Sequence, residues 1–328
     1  MLELRTPFLR LIFGGIFLPI LMPWIIYKAI FAWHYGNRQR EKLENKVVLL
    51  TGASSGLGEA LAFEFYKSGA RVILASRRVE ELERVRNYLI TTGTRERLPG
   101  YPPDILQLDL SDLKSISVKI EEVLRKFGRI DILVNNGGLS YRGNVLNTVI
   151  DVDVKIMVVN YFGHVAITKA VLPSMIRNHS GHVVGISSVQ GKIAIPFRSS
   201  YSASKHAFQA FFDTLRAETE DYIKVSVISP GYLKTNLSVN ALTGDGNPYG
   251  IMDSTTSTGM EPMLAARKIV EAIVMEKEEV ILSSLVPYLA VQMRNLLPFA
   301  YFSLMRKRAI KQQKSEETST KLIHKAAP

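Results

Sequence analysis

The chain has 328 residues, of which 47% are hydrophobic and 22% charged, so it can bury a large core in one domain with appendages, or at most two domains. The absence of cysteine excludes disulfides, thiolate metal sites and a cysteine nucleophile. A net charge of +11 suits nucleic acid, an anionic membrane or an anionic ligand. Much of the basic excess lies near the two ends, and no stretch interleaves aromatic and basic residues. The composition therefore favours a membrane and argues against nucleic acid.

The N-terminal residues 1–36 predict a membrane anchor. Residues 11–27 carry no charge, and the apolar stretch extends to Trp33 if the Lys28 side chain reaches the headgroups. About 20 helical residues, rising ~1.5 Å each, cross the ~30 Å hydrocarbon layer. A cleaved signal peptide is an alternative, although no small-residue cleavage site follows. Two prolines and a glycine pair leave open a segment that bends back within one leaflet.

Charges around this stretch bear on its orientation. Four basic residues follow it, at position 28 and in the basic linker 37–45, and two precede it, which favours a cytosolic domain. Two Asn-x-Ser triplets, at Asn178 and Asn236, keep a lumenal placement open. The chain ends in Ala-Ala-Pro, which is neither a peroxisomal nor an ER-retrieval signal. We expect a single-pass protein of the endoplasmic reticulum membrane.

Short apolar runs alternate with amphipathic stretches between residues 46 and 282. The predicted strands are 47–50, 72–75, 105–108, 132–134, 182–186, 225–228 and 280–282. The predicted helices are 58–68, 79–90, 111–128, 152–175 and 199–222. This alternation predicts an α/β domain with a Rossmann-type, doubly wound parallel sheet of about seven strands. Ligands of such sheets bind at the carboxyl ends of the strands, where the strand order reverses.

Three segments lie outside this alternation. Residues 231–259 are rich in Gly, Ser, Thr and Asn, and a loop of this length is usually functional, so we expect a flexible flap over the substrate rather than an inert insertion. Residues 283–310 predict an apolar and basic helical extension. It would lie on a membrane surface, over the substrate mouth or against a second copy in a homodimer. The polar residues 311–328 predict a disordered tail.

A glycine-rich turn, Thr51-Gly-Ala-Ser-Ser-Gly-Leu-Gly58, links the first predicted strand to a helix. Its glycines let the backbone approach a pyrophosphate, and the helix start offers N–H donors and a positive dipole end. The second strand ends in Ala75-Ser-Arg-Arg78, without the acid that would bind a ribose 2′-hydroxyl. Arg77 and Arg78 would pair with a 2′-phosphate, and Ser76 could donate to it. NADP(H) is the predicted cofactor; a solvated basic turn is the alternative.

Tyr201 and Lys205 are four residues apart and share one face of a predicted helix. A neighbouring ammonium lowers the pKa of a phenol from its usual value of about 10. The pair is then suited to carrying a proton to or from an alcohol or ketone oxygen, which Ser188 could hold. We expect His164 and His206 to be packed or solvated helix residues. His179 and His182 lack further ligands, so no metal site is predicted.

Taken together, these motifs resemble the short-chain dehydrogenase/reductase family. The resemblance covers about residues 45–285 and follows the family's order and spacing. It rests on Thr51-Gly-x-x-x-Gly-x-Gly58, Asp109-Leu110, Asn135-Asn-Gly-Gly138, Asn160, Ser188, Tyr201-x-x-x-Lys205 and Pro230-Gly231. Two positions depart from the family pattern. Gly137 stands where alanine is usual and is expected to loosen the turn slightly. Ser55 stands where some NADP-preferring members carry a basic residue, so the NADP preference depends on Arg77 and Arg78.

The resemblance implies a role for each catalytic residue. Tyr201 would protonate the carbonyl oxygen, and Lys205 would hold the nicotinamide ribose and lower the pKa of Tyr201. Ser188 would bind the substrate oxygen, and Asn160 would order a water for proton resupply. The expected cofactor-binding residues are Gly52, Ser54, Ser55, Gly56, Leu57, Gly58, Ser76, Arg77, Arg78, Asp109, Leu110, Asn136, Gly137, Tyr201, Lys205, Pro230, Gly231 and Thr235.

We therefore expect a membrane-anchored, NADP(H)-dependent oxidoreductase. It would interconvert a carbonyl and a secondary alcohol on a lipophilic steroid, retinoid or lipid ketone by hydride transfer, with reduction as the expected direction. The expected partners are this substrate and the membrane, with a homodimer left open. The rival hypothesis is a non-catalytic NADP(H)-binding membrane scaffold or regulator. The intact set of Asn160, Ser188, Tyr201 and Lys205 argues against that rival.

Overall fold

The computed structural model describes residues 42–92 and 102–326, with side chains as far as Lys314. The predicted anchor at 1–36 lies outside these residues. A parallel sheet of seven strands forms the centre of the described part, in the order β3-β2-β1-β4-β5-β6-β7. Its strands are β1 Val47–Thr51, β2 Arg71–Ser76, β3 Asp104–Gln107, β4 Ile132–Asn135, β5 Gly181–Ile186, β6 Ile223–Pro230 and β7 Glu279–Leu282. The predicted doubly wound α/β fold is confirmed, and the strand order reverses between β1 and β4.

Helices cover both faces of the sheet. They are α1 Gly56–Lys67, α2 Val79–Thr92, α3 Leu113–Phe127, α4 Ile150–Met157, α5 Gly163–Arg177, α6 Ser199–Glu218, α7 Ser254–Ser257, α8 Pro262–Val274, α9 Leu285–Leu296 and α10 Pro298–Ala326. Helix α8 is absent from the sequence-based prediction. Proline occupies its first turn, where its missing N–H costs nothing, and its apolar residues pack beside α1.

Two apolar layers enclose the sheet, because successive residues of a strand point to opposite faces. In β1, Val48 and Leu50 join the core formed with α1, α2 and α8. Val47 and Leu49 join the core formed with α3, α5 and α6. Burial on both faces explains why β1 reads as an uninterrupted apolar run.

A five-residue π-helical turn, Val158–Phe162, joins α4 to α5. The combined helix Ile150–Arg177 is the one helix in the described ranges that is long and apolar enough to cross a membrane. Its residues Val159, Ile167 and Val171 are buried against the sheet, so it is a core helix. It gives no support to the predicted anchor.

The C-terminal extension consists of two helices that meet at Leu297. Proline at position 298 starts the second one, α10. The backbone of residues 311–326 continues α10, which ends at Ala326, and the disorder predicted for this tail stays a prediction. Extending an existing helix requires no new nucleation, and Lys, Gln and Glu are good helix formers.

Candidate active site

The glycine-rich turn lies where the strand order reverses, against the loop that follows β4. Gly52 has a φ of +67°. A Cβ on Gly52 would lie 2.6 Å from Gly137 Cα, and one on Gly58 would lie 2.0 Å from Gly52 O. Only hydrogen atoms fit at these two positions, so the backbone itself shapes a cradle at the start of α1.

Hydrogen bonds join this turn to the end of β4. Asn136 N donates to Thr51 Oγ1 (2.9 Å), and Gly137 N donates to the same oxygen (3.1 Å). Asn136 Nδ2 donates to Thr51 O (2.9 Å). The two strands that flank the reversal point are therefore held together directly beneath the cradle.

Basic side chains lie at one end of the cradle, where β2 ends. Arg78 Nη2 donates to Ser54 Oγ (3.1 Å) and Ser55 Oγ (3.3 Å). Ser76 Oγ accepts from Arg78 N (3.3 Å), which shapes the turn that presents the guanidinium. Arg77 also lines the cavity there. The structure thus brings Ser55 and Arg78 together, whereas the sequence-based preference for NADP depends on Arg77 and Arg78.

The residues predicted to contact the adenine lie beside this end of the cavity. Asp109 Oδ1 accepts from Ser111 N (2.8 Å), so the carboxylate caps the start of the loop before α3. Leu110 is buried, and its Cδ1 lies 2.7 Å from where a Cβ on Gly137 would be. The glycine therefore makes room for Leu110. The slight loosening of the turn expected from this glycine stays a prediction.

The three residues expected at the reacting oxygen converge at the other end of the cavity. Tyr201 lies in the first turn of α6, Lys205 lies one turn further on, and both are buried. Ser188 comes after β5, and its Oγ accepts from Gln190 N (3.1 Å). A hydroxyl that accepts this bond keeps its proton for a second partner, and here that partner is the Tyr201 phenol oxygen. Ser188 can therefore hold a substrate oxygen beside the Tyr201 phenol.

Asn160 lies behind this group, in the π-helical turn. Its Oδ1 accepts from Leu139 N (2.7 Å), and its Nδ2 donates to Leu139 O (2.8 Å) and Ser204 Oγ (3.0 Å). It is fully buried and does not line the cavity. A Cβ on Gly138 would contact both Asn160 Oδ1 (3.1 Å) and Lys205 Nζ (3.9 Å). Asn160 thus holds the loop after β4 against α6, close to the lysine.

The electrostatics of Tyr201 differ from the expectation. Burial raises the pKa of its phenol, and the Ser188 hydroxyl and the Arg142 charge oppose that rise. Lys205 Nζ donates to Ile186 O (3.0 Å) and lies 6.0 Å from the Tyr201 ring centre. Burial lowers the pKa of Lys205 to about 8. The charge that opposes the rise in the phenol pKa is that of Arg142, and the effect of Lys205 on this pKa stays a prediction.

The segment 231–259 lies over the cavity, at the place expected for the predicted flap. Residues 230–238 contribute a continuous part of the lining, including Pro230, Gly231 and Thr235. Asp253 in this segment pairs with Arg142 (Nη2 to Oδ2, 2.6 Å) and Arg198 (3.2 Å). This ion triad ties the flap to the loop after β4 and to the start of α6. Asn236 also lines the cavity.

His164 supports the site from below, as a packed helix residue. Its Nε2 lies 2.7 Å from Gly137 O, and its Nδ1 lies 3.1 Å from the Asn135 side-chain amide. Burial and the Lys205 charge lower its pKa to about 3. The ring is therefore neutral and carries one N–H; the shorter contact places it on Nε2, which donates to Gly137 O, while Nδ1 faces Asn135 Oδ1, an oxygen that cannot donate. It fixes the carbonyl of the turn on which Leu110 packs.

These elements enclose a cavity of about 700 Å³. Every predicted cofactor-binding residue lines it, as do Ser188, Tyr201 and Lys205. Ser187 Oγ is buried in this wall, and no described residue hydrogen-bonds it, as expected where a polar ligand group binds. Sequence reasoning missed lining residues that carry no motif: Leu139, Arg142, Lys155, Gln190, Tyr232, Asn240 and Leu242.

A cradle for a dinucleotide and a buried phenol–ammonium pair, at the reversal point of a doubly wound sheet, define a dinucleotide-dependent oxidoreductase. The chain belongs to the short-chain dehydrogenase/reductase family, since a family model described as "short chain dehydrogenase" matches residues 46–245. It is 50% identical over 310 residues to a "Dehydrogenase/reductase SDR family protein 7-like" of Drosophila melanogaster, covering 94% of each chain. It is 46% identical over 319 residues to "Dehydrogenase/reductase SDR family member 7B" of Bos taurus, covering 96% of this chain and 97% of that one.

One solved structure of the same fold is an alcohol dehydrogenase from the archaeon Thermococcus sibiricus, complexed with 5-hydroxy-NADP. The two sequences are 25% identical, and the TM-score is 0.62. The match covers 73% of this chain and 96% of the archaeal one.

Proposed function

We propose that this chain is a membrane-anchored, NADP(H)-dependent oxidoreductase that reduces a lipophilic ketone to a secondary alcohol. The observation that carries the proposal is the burial of Ser188, Tyr201 and Lys205 together in one wall of the cavity. The nicotinamide cofactor supplies the hydride when it is bound. The protein binds and orients the ketone, excludes water and provides the proton.

The protonation state of the phenol favours reduction. A buried phenol with a raised pKa holds its proton at neutral pH, so Tyr201 Oη can donate it to a carbonyl oxygen. Ser188 Oγ donates a hydrogen bond to the same oxygen, which stabilises the charge that develops on it. Arg142, whose charge opposes the rise of the phenol pKa, favours the phenolate that remains, and Lys205, with a pKa of about 8, is largely charged at neutral pH.

The preference for NADP(H) is supported by the arrangement at the end of β2. Arg78 lies over the two serines of the cradle, so its guanidinium and the hydroxyls of Ser54 and Ser55 form one cluster of donors. Such a cluster suits a 2′-phosphate. The end of β2, residues 75–78, carries no carboxylate that could bind a free 2′-hydroxyl. The Thermococcus sibiricus neighbour, whose structure contains an NADP derivative, points the same way.

Titration with NADPH and NADH tests this preference. Arg78→Ala removes charge-assisted hydrogen bonds of ~1.5–3 kcal/mol, so it should weaken NADPH binding about 10- to 100-fold and change NADH binding far less. Lys114→Ala removes an exposed charge on α3, away from the cavity, and serves as the control. Tighter binding of NADH by the unaltered protein, or an equal loss for both cofactors, would overturn the proposal.

A lipophilic substrate fits the end of the cavity nearest Tyr201. Leu139, Leu237, Leu242 and Pro248 line the cavity, and Leu139 and Leu242 pack in one apolar cluster with Tyr201. The flap covers this part of the cavity. The apolar N-terminal sequence supports an anchor that keeps the enzyme where such substrates dissolve, and we place it in the endoplasmic reticulum with the domain in the cytosol. Protease treatment of sealed microsomes checks the orientation, since protection of the domain would reverse it.

Turnover on a panel of steroid, retinoid and lipid ketones tests the reaction. Tyr201→Phe should lower kcat by about 10²- to 10⁴-fold or more while leaving NADPH affinity nearly unchanged. Tyr141→Phe is the matched control, because Tyr141 is also buried but its hydroxyl bonds Thr148 outside the cavity. If Tyr201→Phe stays active, the proton comes from another group. If the unaltered protein binds NADPH but turns over no ketone, the scaffold hypothesis is favoured instead.

A further inference from the structure

Helices α9 and α10 expose an apolar surface that the described part of the chain leaves uncovered. Phe299 is 89% exposed, and its apolar neighbours on both helices also face outward. We call this surface the apolar face; its exposed residues are Leu285, Val286, Leu289, Leu296, Leu297, Phe299 and Phe302. A soluble monomer rarely exposes so many large apolar side chains side by side, so this surface is expected to bind a partner.

The opposite side of the two helices is held firmly against the domain. Val291 and Tyr301 are buried with Ile193 in a separate apolar cluster. The Tyr301 hydroxyl donates to Ala194 O. The apolar face therefore belongs to a fixed element with a defined orientation.

Charge indicates what the partner is. Residues 285–314 contain six basic residues and no acidic one. Five of the six lie on α10, just after the apolar face, as Arg306, Lys307, Arg308, Lys311 and Lys314. Apolar side chains that enter the acyl boundary, flanked by basic side chains at the headgroups, are what an anionic bilayer surface binds. A second copy of this chain would instead bring the same positive charge against itself.

The basic part of α10 adjoins the mouth of the active-site cavity. Arg308 Nη2 donates to Tyr232 Oη (3.1 Å). Tyr232 begins the flap and lines the cavity. A second cavity of about 450 Å³ lies between these helices and residues 192–196, and Ile195, Tyr301 and Met305 are among its lining residues. A bilayer bound at the apolar face would therefore lie beside the place where a lipophilic molecule enters.

We propose that helices α9 and α10 form a second membrane contact, in which the apolar face enters the headgroup–acyl boundary of a bilayer that contains anionic lipids. The contact orients the domain so that the cavity mouth at Tyr232 meets the lipid. This proposal goes beyond the oxidoreductase activity, because the contact is a property of the folded chain whether or not it turns over a substrate. It is also separate from the N-terminal anchor, which tethers the domain without fixing its orientation.

The absence of cysteine makes the test direct, since a single introduced cysteine is the only labelling site. The full-length protein is reconstituted into phosphatidylcholine vesicles with or without phosphatidylserine, and an NBD fluorophore is attached at Phe299→Cys. Val118→Cys on α3, where the side chain is 55% exposed, is the matched control. Doxyl-labelled lipids should quench the probe at position 299 several-fold more than the probe at 118. Arg306→Gln with Lys307→Gln should reduce that quenching in phosphatidylserine vesicles.

Several outcomes would overturn the proposal. Equal quenching at 299 and 118 would show that the face does not contact lipid. A blue-shifted probe at 299 without lipid quenching, together with cross-linking between the 299 positions of two chains, would make the face a dimer interface. NADPH binding by each labelled protein shows that the fold is kept, and it also separates failure of the membrane contact from failure of the proposed enzymatic function.

Discussion

Asp253 is the residue whose substitution best tests whether ion pairs hold the flap closed over the cavity. Its Oδ2 accepts from Arg142 Nε (2.8 Å) and from Arg198 Nη2 (3.2 Å). The side chains are 9% exposed for Arg142, 10% for Arg198 and 15% for Asp253, so solvent screens the charges little. Asp253→Asn keeps the shape but removes the charge, and it leaves two guanidinium groups facing each other.

The free energy that Asp253→Asn should cost follows from these contacts. A hydrogen bond to a charged group contributes ~1.5–3 kcal/mol, and breaking a buried ion pair by removing one partner costs ~3–5 kcal/mol. Arg142 Nη1 still donates to Ser140 Oγ (2.6 Å) and Tyr141 O (2.8 Å), and asparagine still accepts one bond, so we expect about 2–3 kcal/mol. The Arg142–Arg198 repulsion, which already helps to lower the pKa of Arg198 to about 10, would then act unopposed.

Most of this loss should appear as opening of the flap, because β6 and α8 on either side of it are buried in the sheet cores. Hydrogen exchange of peptides from 231–259 should quicken by about 30- to 100-fold, the factor that 2–3 kcal/mol represents at 1.4 kcal/mol per tenfold. KM for the ketone should rise more than kcat falls. Exchange in β1 and β5 should change little.

Glu261→Gln is the control for this test. Glu261 pairs with Lys234 at 2.8 Å, but both side chains are exposed, so the variant should change the stability of the protein very little. Unchanged exchange of 231–259 in Asp253→Asn would refute the role of the triad as a latch. Uniformly faster exchange across the whole sheet would show that Asp253 supports global stability instead.

Three further predictions concern two residues that line the cavity, Lys205 and Gly58, and His164, which supports the site from below. Lys205→Met should abolish turnover, yet below pH 8 it should stabilise the ligand-free fold by about 2 kcal/mol net. Burial lowers the Lys205 pKa from 10.5 to about 8, so between these two pH values the unfolded chain binds more protons than the folded one. The gain in stability should therefore vanish as the pH rises from 8 to 10.5. Denaturation at a series of pH values checks this, and a constant gain would contradict it. The unaltered protein should lose stability on the order of 4 kcal/mol as pH falls from 6.5 to about 3, because the buried His164 ring resists protonation in the folded state. His164→Gln should not show this loss. Identical acid transitions of the two proteins would contradict the low pKa of His164. Gly58→Ala should abolish NADPH binding and cost ~1–3 kcal/mol, because its Cβ would lie 2.0 Å from Gly52 O; binding at ordinary affinity would show that the cradle is more yielding than its geometry indicates.

The strands and the doubly wound arrangement could be predicted because the strands are short, and β1, β4 and β5 are buried along their whole length. Helix α8 was missed because its start follows a long irregular segment and its pattern was not separated from that segment. The π-helical turn at Val158–Phe162 has no signal in the sequence, since a turn with one extra residue preserves the apolar pattern on either side. Its effect is local: it places Asn160 against Leu139 and Ser204.

The site shows where reasoning from residue spacing ends. Spacing correctly gathers Ser188, Tyr201 and Lys205, because a helix face and the ends of parallel strands fix their directions. It does not give the protonation state of Tyr201, since a pKa depends on how much water and which charges surround the group, and residues far apart in the chain supply both. Arg142 comes from the loop after β4 and is held by the flap, yet it is the charge that opposes the rise of the phenol pKa. The flap and the acid strength of Tyr201 are therefore coupled: opening the Asp253 latch should also release Arg142 and move the pH profile of turnover.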